Sequence, residues 1–193
     1  MSPRSKEQFE EIREKSRQKI LQAALEIFAQ HGYASSSVDQ IARKSDMAKG
    51  SVYHYFGSKE AIFEAVVKEG LAEFEQIFEA LNHQDTPQDR LATLIEVSFA
   101  SIVDKKEFWR LYFSLLTQLN LPKSLHQLLG PLLEEMFGFM THLFEEMGRR
   151  NPAVEAKILA ATLDGVFLHY LMLGEDYPLV NVKESILKQF TRS

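Results

Sequence analysis

The sequence predicts an all-α protein in which a small N-terminal helical domain precedes a larger helical domain. Apolar residues recur at helical spacing along nearly the whole chain. Two very short helical patterns lie side by side between residues 38 and 56, and a polar turn separates them. The chain has 193 residues, of which 45% are hydrophobic. This composition is sufficient for the core of one large domain or of two small domains.

The composition also restricts the class of protein. The absence of cysteine excludes disulfides and cysteine metal sites and suits a reducing cytoplasm. Charged residues lie where a signal peptide needs an apolar core, and we expect no segment long and apolar enough to span a membrane. The net charge is −5, but residues 1–60 carry ten basic and eight acidic side chains, whereas the remainder carries 12 and 19. The N-terminal part is therefore the better candidate for contact with a polyanion.

A long first helix is predicted by the apolar positions of residues 20–28, which follow the i, i+3, i+4, i+7 rule. Gly32 supplies the left-handed residue that commonly ends a helix. Residues 1–11 lack an apolar stripe and are predicted to form a flexible arm. Alternating charges in and after this arm favour a solvated helical extension, with i, i+4 pairs such as Glu11 and Lys15.

Two short helices are predicted next. Ser37 and Gln40 form an S-x-x-Q capping box at the start of the first one. The second, "KGSVYHYF", places Val52 and Phe56 inward, four residues apart, and its polar side chains mostly outward. Both are too short to be stable alone, so they must pack on the long first helix and on the helix that Ser58 caps. This arrangement is a helix-turn-helix, although a helical hairpin with solvated polar faces gives the same bare pattern.

Many fixed positions of this region match those of one known family. They are Ile20, Leu21, Ala23, Ala24, Phe28, Gly32, Tyr33, Ser37, Val38, Ile41, Ala42, Lys49, Gly50, Ser51, Val52, Tyr53, Tyr55, Phe56, Ser58, Lys59 and Glu60. The stretch resembles the DNA-binding domain of the TetR family of bacterial transcriptional regulators. The resemblance implies a DNA-binding helix-turn-helix domain over residues 1–63, an effector-binding and dimerisation domain over residues 64–193, and a homodimer.

The resemblance also implies roles for individual residues. The contact with a phosphate at the start of the first short helix is expected from Ser37. The contacts with base edges are expected from Lys49, Gly50 and Ser51. The contacts with the DNA backbone are expected from Tyr53, His54, Tyr55 and Lys59.

The turn departs from the family pattern. Ser45 and Asp46 stand where Ala-Gly is common. Asp46 tolerates the left-handed backbone better than most residues, so the turn can survive. Its negative charge puts DNA affinity in doubt. Asp39, on the exposed side of the first short helix, either lowers affinity or helps to specify a base.

The C-terminal part is predicted from its pattern alone. One helix is entered through Pro87, and the next, "KEFWRLYFSLLTQL", is apolar around most of its circumference and therefore expected to be buried on most sides. One short helix and one long helix starting near Pro131 follow. A further helix has Asn151 as its cap and Pro152 at its first position, and it closes at Gly174. A short helix ends the chain.

Aromatic residues are concentrated in this part. The resemblance implies an effector pocket here, and the candidate residues are Trp109, Arg110, Tyr112, Phe113, Phe137, Met140 and Phe167. Plain core packing is the alternative for each aromatic side chain. The absence of a basic cluster argues against a strongly anionic effector, although Arg110 could hold a carboxylate.

A dimer interface is predicted on the penultimate helix and on the helix after Pro131. The candidate residues are Leu133, Phe144, Ala161, Asp164, Gly165 and Leu168. The small side chains among them would allow two helices to approach closely. Asp164 interrupts an apolar helix, so it needs a cationic partner or a place at a wetted interface. His142 and His169 lack the neighbours that a metal site requires.

The sequence therefore predicts a cytoplasmic, homodimeric transcriptional regulator without cofactor, metal or enzymatic activity. We expect a repressor that binds a palindromic operator and is released by a small, largely apolar effector. One alternative is a DNA-bound interaction protein, such as a division or nucleoid factor, on the same fold without an effector. A second is a ligand-binding protein that has lost DNA binding, for which Asp39 and Asp46 are the only hints.

Overall fold

The computed structural model describes residues 6–81, 85–116 and 123–192. The structure is 88% helical and has no strand within these ranges, which confirms the predicted all-α class. The α-helices are α1 (Lys6–Ser35), α2 (Val38–Lys44), α3 (Lys49–Phe56), α4 (Lys59–Leu81), α5 (Pro87–Asp104), α6 (Lys106–Leu116), α7 (Lys123–Glu146), α8 (Pro152–Leu173) and α9 (Leu179–Phe190).

The chain forms two compact units. One contains Met1–Leu71 and Arg110–Thr117, and the other contains Ala72–Trp109 and Gln118–Ser193. The division falls inside α4, which runs without a break past Phe63, where the sequence suggested a domain boundary.

The first helix breaks at Gly32, as predicted. The backbone there has φ 72° and ψ 162°, a conformation that is essentially restricted to glycine. Toward the N-terminus, α1 already begins at Lys6, so the described end of the predicted arm is helical. The ammonium of Lys15 lies 2.6 Å from the Glu11 carboxylate, which confirms the predicted i, i+4 pair.

The two short helices are held by a core that they share with α1 and α4. Its largest fully enclosed side chains are Ile20, Phe28, Ile41, Ile62 and Phe63. The Phe28 and Phe63 rings lie 5.1 Å apart in an edge-to-face contact. Burial of these side chains supplies the stabilisation that helices of seven and eight residues cannot generate by themselves.

Local signals set the bounds of the short helices. The predicted capping box is present. The Gln40 backbone amide donates to the Ser37 hydroxyl, and the Ser37 backbone amide donates to the side-chain oxygen of Gln40. Asp46 in the turn has φ 54°, which confirms the predicted left-handed residue. The Ala61 amide donates to the Ser58 hydroxyl over 3.0 Å, so Ser58 caps α4.

The second unit is built on α5, α7, α8 and α9. Its fully enclosed side chains include Leu91, Ile95, Ile102, Leu143, Phe144, Leu159 and Phe167. Arg90 on α5 forms a 2.6 Å ion pair with Glu146 on α7. Arg149 donates to the carbonyl groups of Phe190 and Arg192, which fastens the end of α9.

One of the sequence predictions for this part was wrong. The segment around Pro131 forms one continuous helix, α7, and not a short helix followed by a long one. Pro131 and Gln127 are both exposed, so water can hydrate the Gln127 carbonyl that the proline cannot bind. Helix α6 agrees with the prediction, since its residues 106–115 are buried or half-buried except Lys106 and Arg110, which lie four positions apart on one face.

Helix α8 starts and ends where the sequence predicted, at Pro152 and before Gly174, although Asn151 makes no side-chain capping bond. It has two apolar faces. One is buried, and the other is an exposed stripe of Val154, Ile158, Ala161, Leu168 and Met172, spaced by three or four residues or by seven. Gly165 lies in the gap between Ala161 and Leu168. This set of six residues is called the α8 stripe below.

The expectation that no segment is long and apolar enough to span a membrane was also wrong. The segment Pro152–Asp176 is long and apolar enough to cross a membrane by length and composition, with a mean hydropathy of 1.4, and only 22% of its most apolar window is buried. The apolar residues of α8 that do not contribute to the protomer's core lie on the exposed side of the helix.

Candidate functional site

The helix α3 presents the polar face that the sequence predicted. Lys49, Gly50, Tyr53 and His54 are exposed, while Ser51 is half-buried. Val52 is fully buried and anchors the helix to the core beneath it. The exposed side chains therefore stand on a fixed support, as the geometry of a recognition helix requires.

Gly50 lies at the second position of α3 with nothing nearby. A Cβ added there would meet no atom within 4 Å, so no packing inside the protein demands a glycine. Glycine in a helix is also less favourable than alanine. A surface that must be approached closely from outside, such as by a nucleic-acid backbone, is a physical reason for its presence.

An ion pair joins α2 to the start of α3. The Lys49 ammonium donates to the Asp39 carboxylate over 2.9 Å, and both side chains are about half exposed. The hydrogen bond to Asp39, with the attraction of its charge, holds the pKa of Lys49 above its usual value. The charge of this lysine at the start of α3 is thus already partly compensated.

Lys59, predicted to contact the DNA backbone, makes contacts inside the first unit. Its ammonium donates to the carbonyl groups of Tyr33 and Ser36 over 2.8 and 2.9 Å and lies 4.3 Å from the centroid of the Tyr33 ring. Burial lowers the pKa of Lys59. The lysine therefore ties the start of α4 to the end of α1, and a phosphate contact remains a prediction.

We expect Lys59→Met to destabilise the first unit by about 1 kcal/mol. The change keeps the aliphatic stem but removes the lysine donor from the Ser36 and Tyr33 carbonyl groups. The Tyr33 carbonyl keeps the Ser36 backbone amide as a donor, and nearby water limits the loss to the lower end of the usual range. Urea unfolding monitored by circular dichroism measures the effect. Lys68→Met, at an exposed position of the same helix, is the matched control and is expected to be neutral. Equal midpoints for the two variants would contradict the structural role of Lys59.

The remaining predicted DNA contacts, Ser37 and Tyr55, are both partly buried. Ser37 is half-buried, and its hydroxyl is engaged with Gln40, so its predicted phosphate contact adds to an existing capping role. Tyr55 is half-buried beside His54, with ring centroids 6.2 Å apart.

Arg43 is a further candidate that was not predicted from the sequence. Arg43 is exposed on α2, four residues after Asp39 and hence on the same helix face. That spacing was the available signal. The neighbouring Lys44 points elsewhere, since it forms a 2.7 Å ion pair with Glu26 on α1.

The candidate pocket residues are divided between the two units. In the second unit, the Trp109 and Phe167 rings lie 4.9 Å apart, and the Trp109 indole donates to the Ser101 hydroxyl over 3.0 Å. Met140 is buried and Phe137 is half-buried. The contacts of Trp109 and Phe167 are those of a packed aromatic core, which was the alternative left open.

The other pocket candidates, Arg110, Tyr112 and Phe113, belong to the segment of α6 that is part of the first unit. Arg110 is exposed, and the Tyr112 and Phe113 rings contact each other at 5.1 Å. Their assignment to an effector site remains a prediction.

The candidate interface residues fall into two groups. Ala161 and Leu168 are exposed, and Leu133, Asp164 and Gly165 are partly exposed, so all five are accessible to a partner. Phe144 is not: it is 0% exposed and lies against Phe190 inside the second unit. Phe144 is therefore a core residue. The sequence could not show this, because an apolar position on α7 fits the same periodicity whether it faces its own protomer or another.

Comparison with known proteins identifies both parts of the chain. Residues 20–66 match the family model described as bacterial regulatory proteins, tetR family. Residues 87–192 match the model described as the C-terminal region of BetI-type transcriptional repressors.

Individual relatives agree with these matches. The fatty acid metabolism regulator protein of Bacillus subtilis is 26% identical over 180 residues, which cover 88% of this chain and 90% of that protein. The transcriptional regulator BetI of Brucella anthropi is 24% identical over 164 residues, covering 84% of each. A crystal structure of FadR from Bacillus subtilis in complex with stearoyl-CoA superposes with a TM-score of 0.75 at 25% identity, covering 90% of this chain and 97% of that one.

Proposed function

Because the chain belongs to the TetR family of bacterial regulatory proteins, we propose that it is a homodimeric, cytoplasmic repressor that binds a palindromic operator and releases it when an effector binds. DNA binding and ligand-responsive transcriptional regulation are properties that its family and relatives support. The support for repression is the match of residues 87–192 to the C-terminal region of BetI-type transcriptional repressors.

The exposed face of α3 carries the proposal for DNA recognition. Lys49 and Ser51 are the proposed contacts with base edges, and Gly50 allows close approach. Tyr53 and His54 are the proposed contacts with the DNA backbone. Arg43 joins them as a proposed phosphate contact.

The α8 stripe supports the dimer. A contiguous apolar face of this length on a DNA-binding protein needs a cover, and a second copy of the same helix is complementary to it. Gly165 in its middle would gain no contact within 4 Å from a Cβ, so nothing within its own protomer requires a glycine there. Two such helices can cross closely at Ala161 and Gly165. Two recognition helices would then meet half-sites about one helical turn, ~34–36 Å, or a multiple of it apart.

Selection of genomic fragments tests the operator proposal. The purified protein is mixed with sheared DNA of the source organism at physiological salt, and the bound fragments are sequenced. Recovery of a few palindromic sites is the result expected of a specific regulator. Diffuse recovery along the genome would favour the alternative of a nucleoid-type interaction protein, and no recovery would favour a protein that has lost DNA binding.

The effector is proposed to be a molecule with a long acyl chain, such as an acyl-CoA thioester. The support is a relative named as a fatty acid metabolism regulator and the complex of a similar protein with stearoyl-CoA. The aromatic and aliphatic side chains of the second unit suit an acyl chain better than a charged ligand. Arg90 and Arg149 already have partners, so the acyl chain, and not the strongly anionic nucleotide, is the part of the ligand that the second unit is proposed to recognise.

We expect stearoyl-CoA to release the protein from its selected operator, whereas free coenzyme A and choline leave it bound. Fluorescence anisotropy of a labelled operator duplex measures the release. Only a ligand that prefers the conformation with low DNA affinity can shift the equilibrium. Release by choline alone would replace the acyl proposal with a small cationic effector, and release by free coenzyme A would assign recognition to the nucleotide.

A further inference from the structure

The ion pair between Asp39 and Lys49 places a carboxylate beside the first cation of the proposed recognition helix. The two residues are ten positions apart and belong to different helices. Asp39 lies in the first turn of α2, where the helix dipole favours a negative charge independently of Lys49. Both partners are about half exposed, and Lys49 is the first residue of α3, the helix proposed to contact DNA.

The effect of this pair differs between phosphates and base edges. Binding of a lysine to a phosphate is driven largely by release of the counterions that the phosphate had condensed. A lysine that keeps its carboxylate partner brings no net charge to the phosphate, and the carboxylate is repelled by it. A base edge, in contrast, offers neutral acceptors such as guanine O6 and N7, and the ammonium still has further N–H donors for them.

We propose that Asp39 is a specificity-determining residue, which restrains Lys49 from binding phosphates of any sequence while leaving it available for a base edge of the operator. The inference rests on the proposed function, since it takes α3 to be the recognition helix. It decides between the two roles that the sequence left open for Asp39: its charge lowers affinity for DNA in general and thereby increases discrimination.

The test compares Asp39→Asn with the wild type on two duplexes, the selected operator and a random sequence of equal length. We expect the affinity for random DNA to rise roughly five-fold per protomer at 0.15 M salt, which is the counterion contribution of one added phosphate contact. The slope of log affinity against log salt should steepen by about 0.9 per protomer. Affinity for the operator should rise much less, so the ratio of operator to random affinity should fall.

Asp46→Asn is the matched control. It removes the same charge from the same helix-turn-helix, and asparagine tolerates the left-handed backbone of the turn. Within the described residues Asp46 has no ion pair of its own, so its replacement releases no lysine. We expect a smaller rise in random-DNA affinity for this variant. In a Lys49→Met background, Asp39→Asn should have no larger effect than Asp46→Asn.

Three outcomes would overturn the inference while the wild type still prefers its operator. Asp39→Asn and Asp46→Asn could raise random-DNA affinity equally, operator and random affinities could rise by the same factor, or neither could change. A wild type that shows no preference for any selected sequence would instead overturn the proposed function, together with this inference. Circular dichroism confirms that each variant is folded before the titrations are interpreted.

Discussion

Glutamate in place of Leu168 is expected to convert the protein from a dimer to a monomer. Leu168 is 42% exposed in the protomer and lies in the α8 stripe, so the change does not disturb the protomer's own core. In the proposed dimer, the substitution places one glutamate from each protomer in an apolar interface, where neither carboxylate has a cationic partner. Size-exclusion chromatography with light scattering measures the mass of the species.

The same variant should lose operator affinity by at least about 100-fold. Linking two binding modules raises affinity by about 10²–10⁴ through effective concentration, and a monomer forfeits that gain. Val103→Glu is the matched control, because Val103 is an exposed apolar residue of similar accessibility, 46%, on α5 and outside the stripe. A dimeric Leu168→Glu protein with unchanged operator affinity would show that the stripe serves another purpose.

Alanine in place of Gly32 is expected to destabilise the first unit by about 1–3 kcal/mol, the usual cost of a side chain forced into such a backbone conformation. The break at Gly32 directs the chain from α1 toward α2, and the Ser36 hydroxyl fixes the new direction by donating to the Gly32 carbonyl over 2.6 Å. A Cβ at this position either strains the break or moves it. Urea unfolding monitored by circular dichroism measures the loss, at fixed protein concentration because the proposed dimer would make stability depend on concentration.

Gly50→Ala, in the same unit, is expected to raise stability where Gly32→Ala lowers it. Its backbone is helical and the space around it is open, so alanine should stabilise α3 by up to about 1 kcal/mol. On the proposed DNA contact, the added methyl group should weaken operator binding even as the fold gains stability. A loss of stability in Gly50→Ala as large as that in Gly32→Ala would contradict the assignment of strain to the backbone at Gly32.

Features set by neighbouring residues were predictable from the sequence. The capping box of Ser37 and Gln40, the break at Gly32 and the left-handed Asp46 each depend on the backbone within a few positions, so composition at those positions was sufficient. The continuity of α7 was not predictable in this way. The local preference of Pro131 to start a helix did not set a boundary, because an exposed proline can be tolerated inside a helix where water hydrates the unbonded carbonyl.

Contacts between distant positions could not be predicted from the pattern. Lys59 reaches carbonyl groups 23 and 26 residues earlier in the chain, and Lys49 meets a carboxylate on another helix. Spacing rules for a helix describe partners three or four residues apart, and neither pair obeys them. The exposure of one apolar face of α8 was not predicted for a related reason. Periodicity distinguishes an apolar face from a polar one, but it does not distinguish a buried face from an exposed one.

The position of Trp109 has a practical consequence for spectroscopy. It is the only tryptophan of the chain, and it lies among Phe167 and Ser101 in the second unit. Intrinsic indole emission therefore reports on the unit proposed to bind the effector, and the helix-turn-helix contains no tryptophan of its own. Because the chain has no cysteine, one introduced at an exposed position of α3 would carry a thiol-reactive dye with no competing site. The two signals, excited at separate wavelengths, would show in one sample whether a ligand perturbs the second unit before the DNA-binding helices respond.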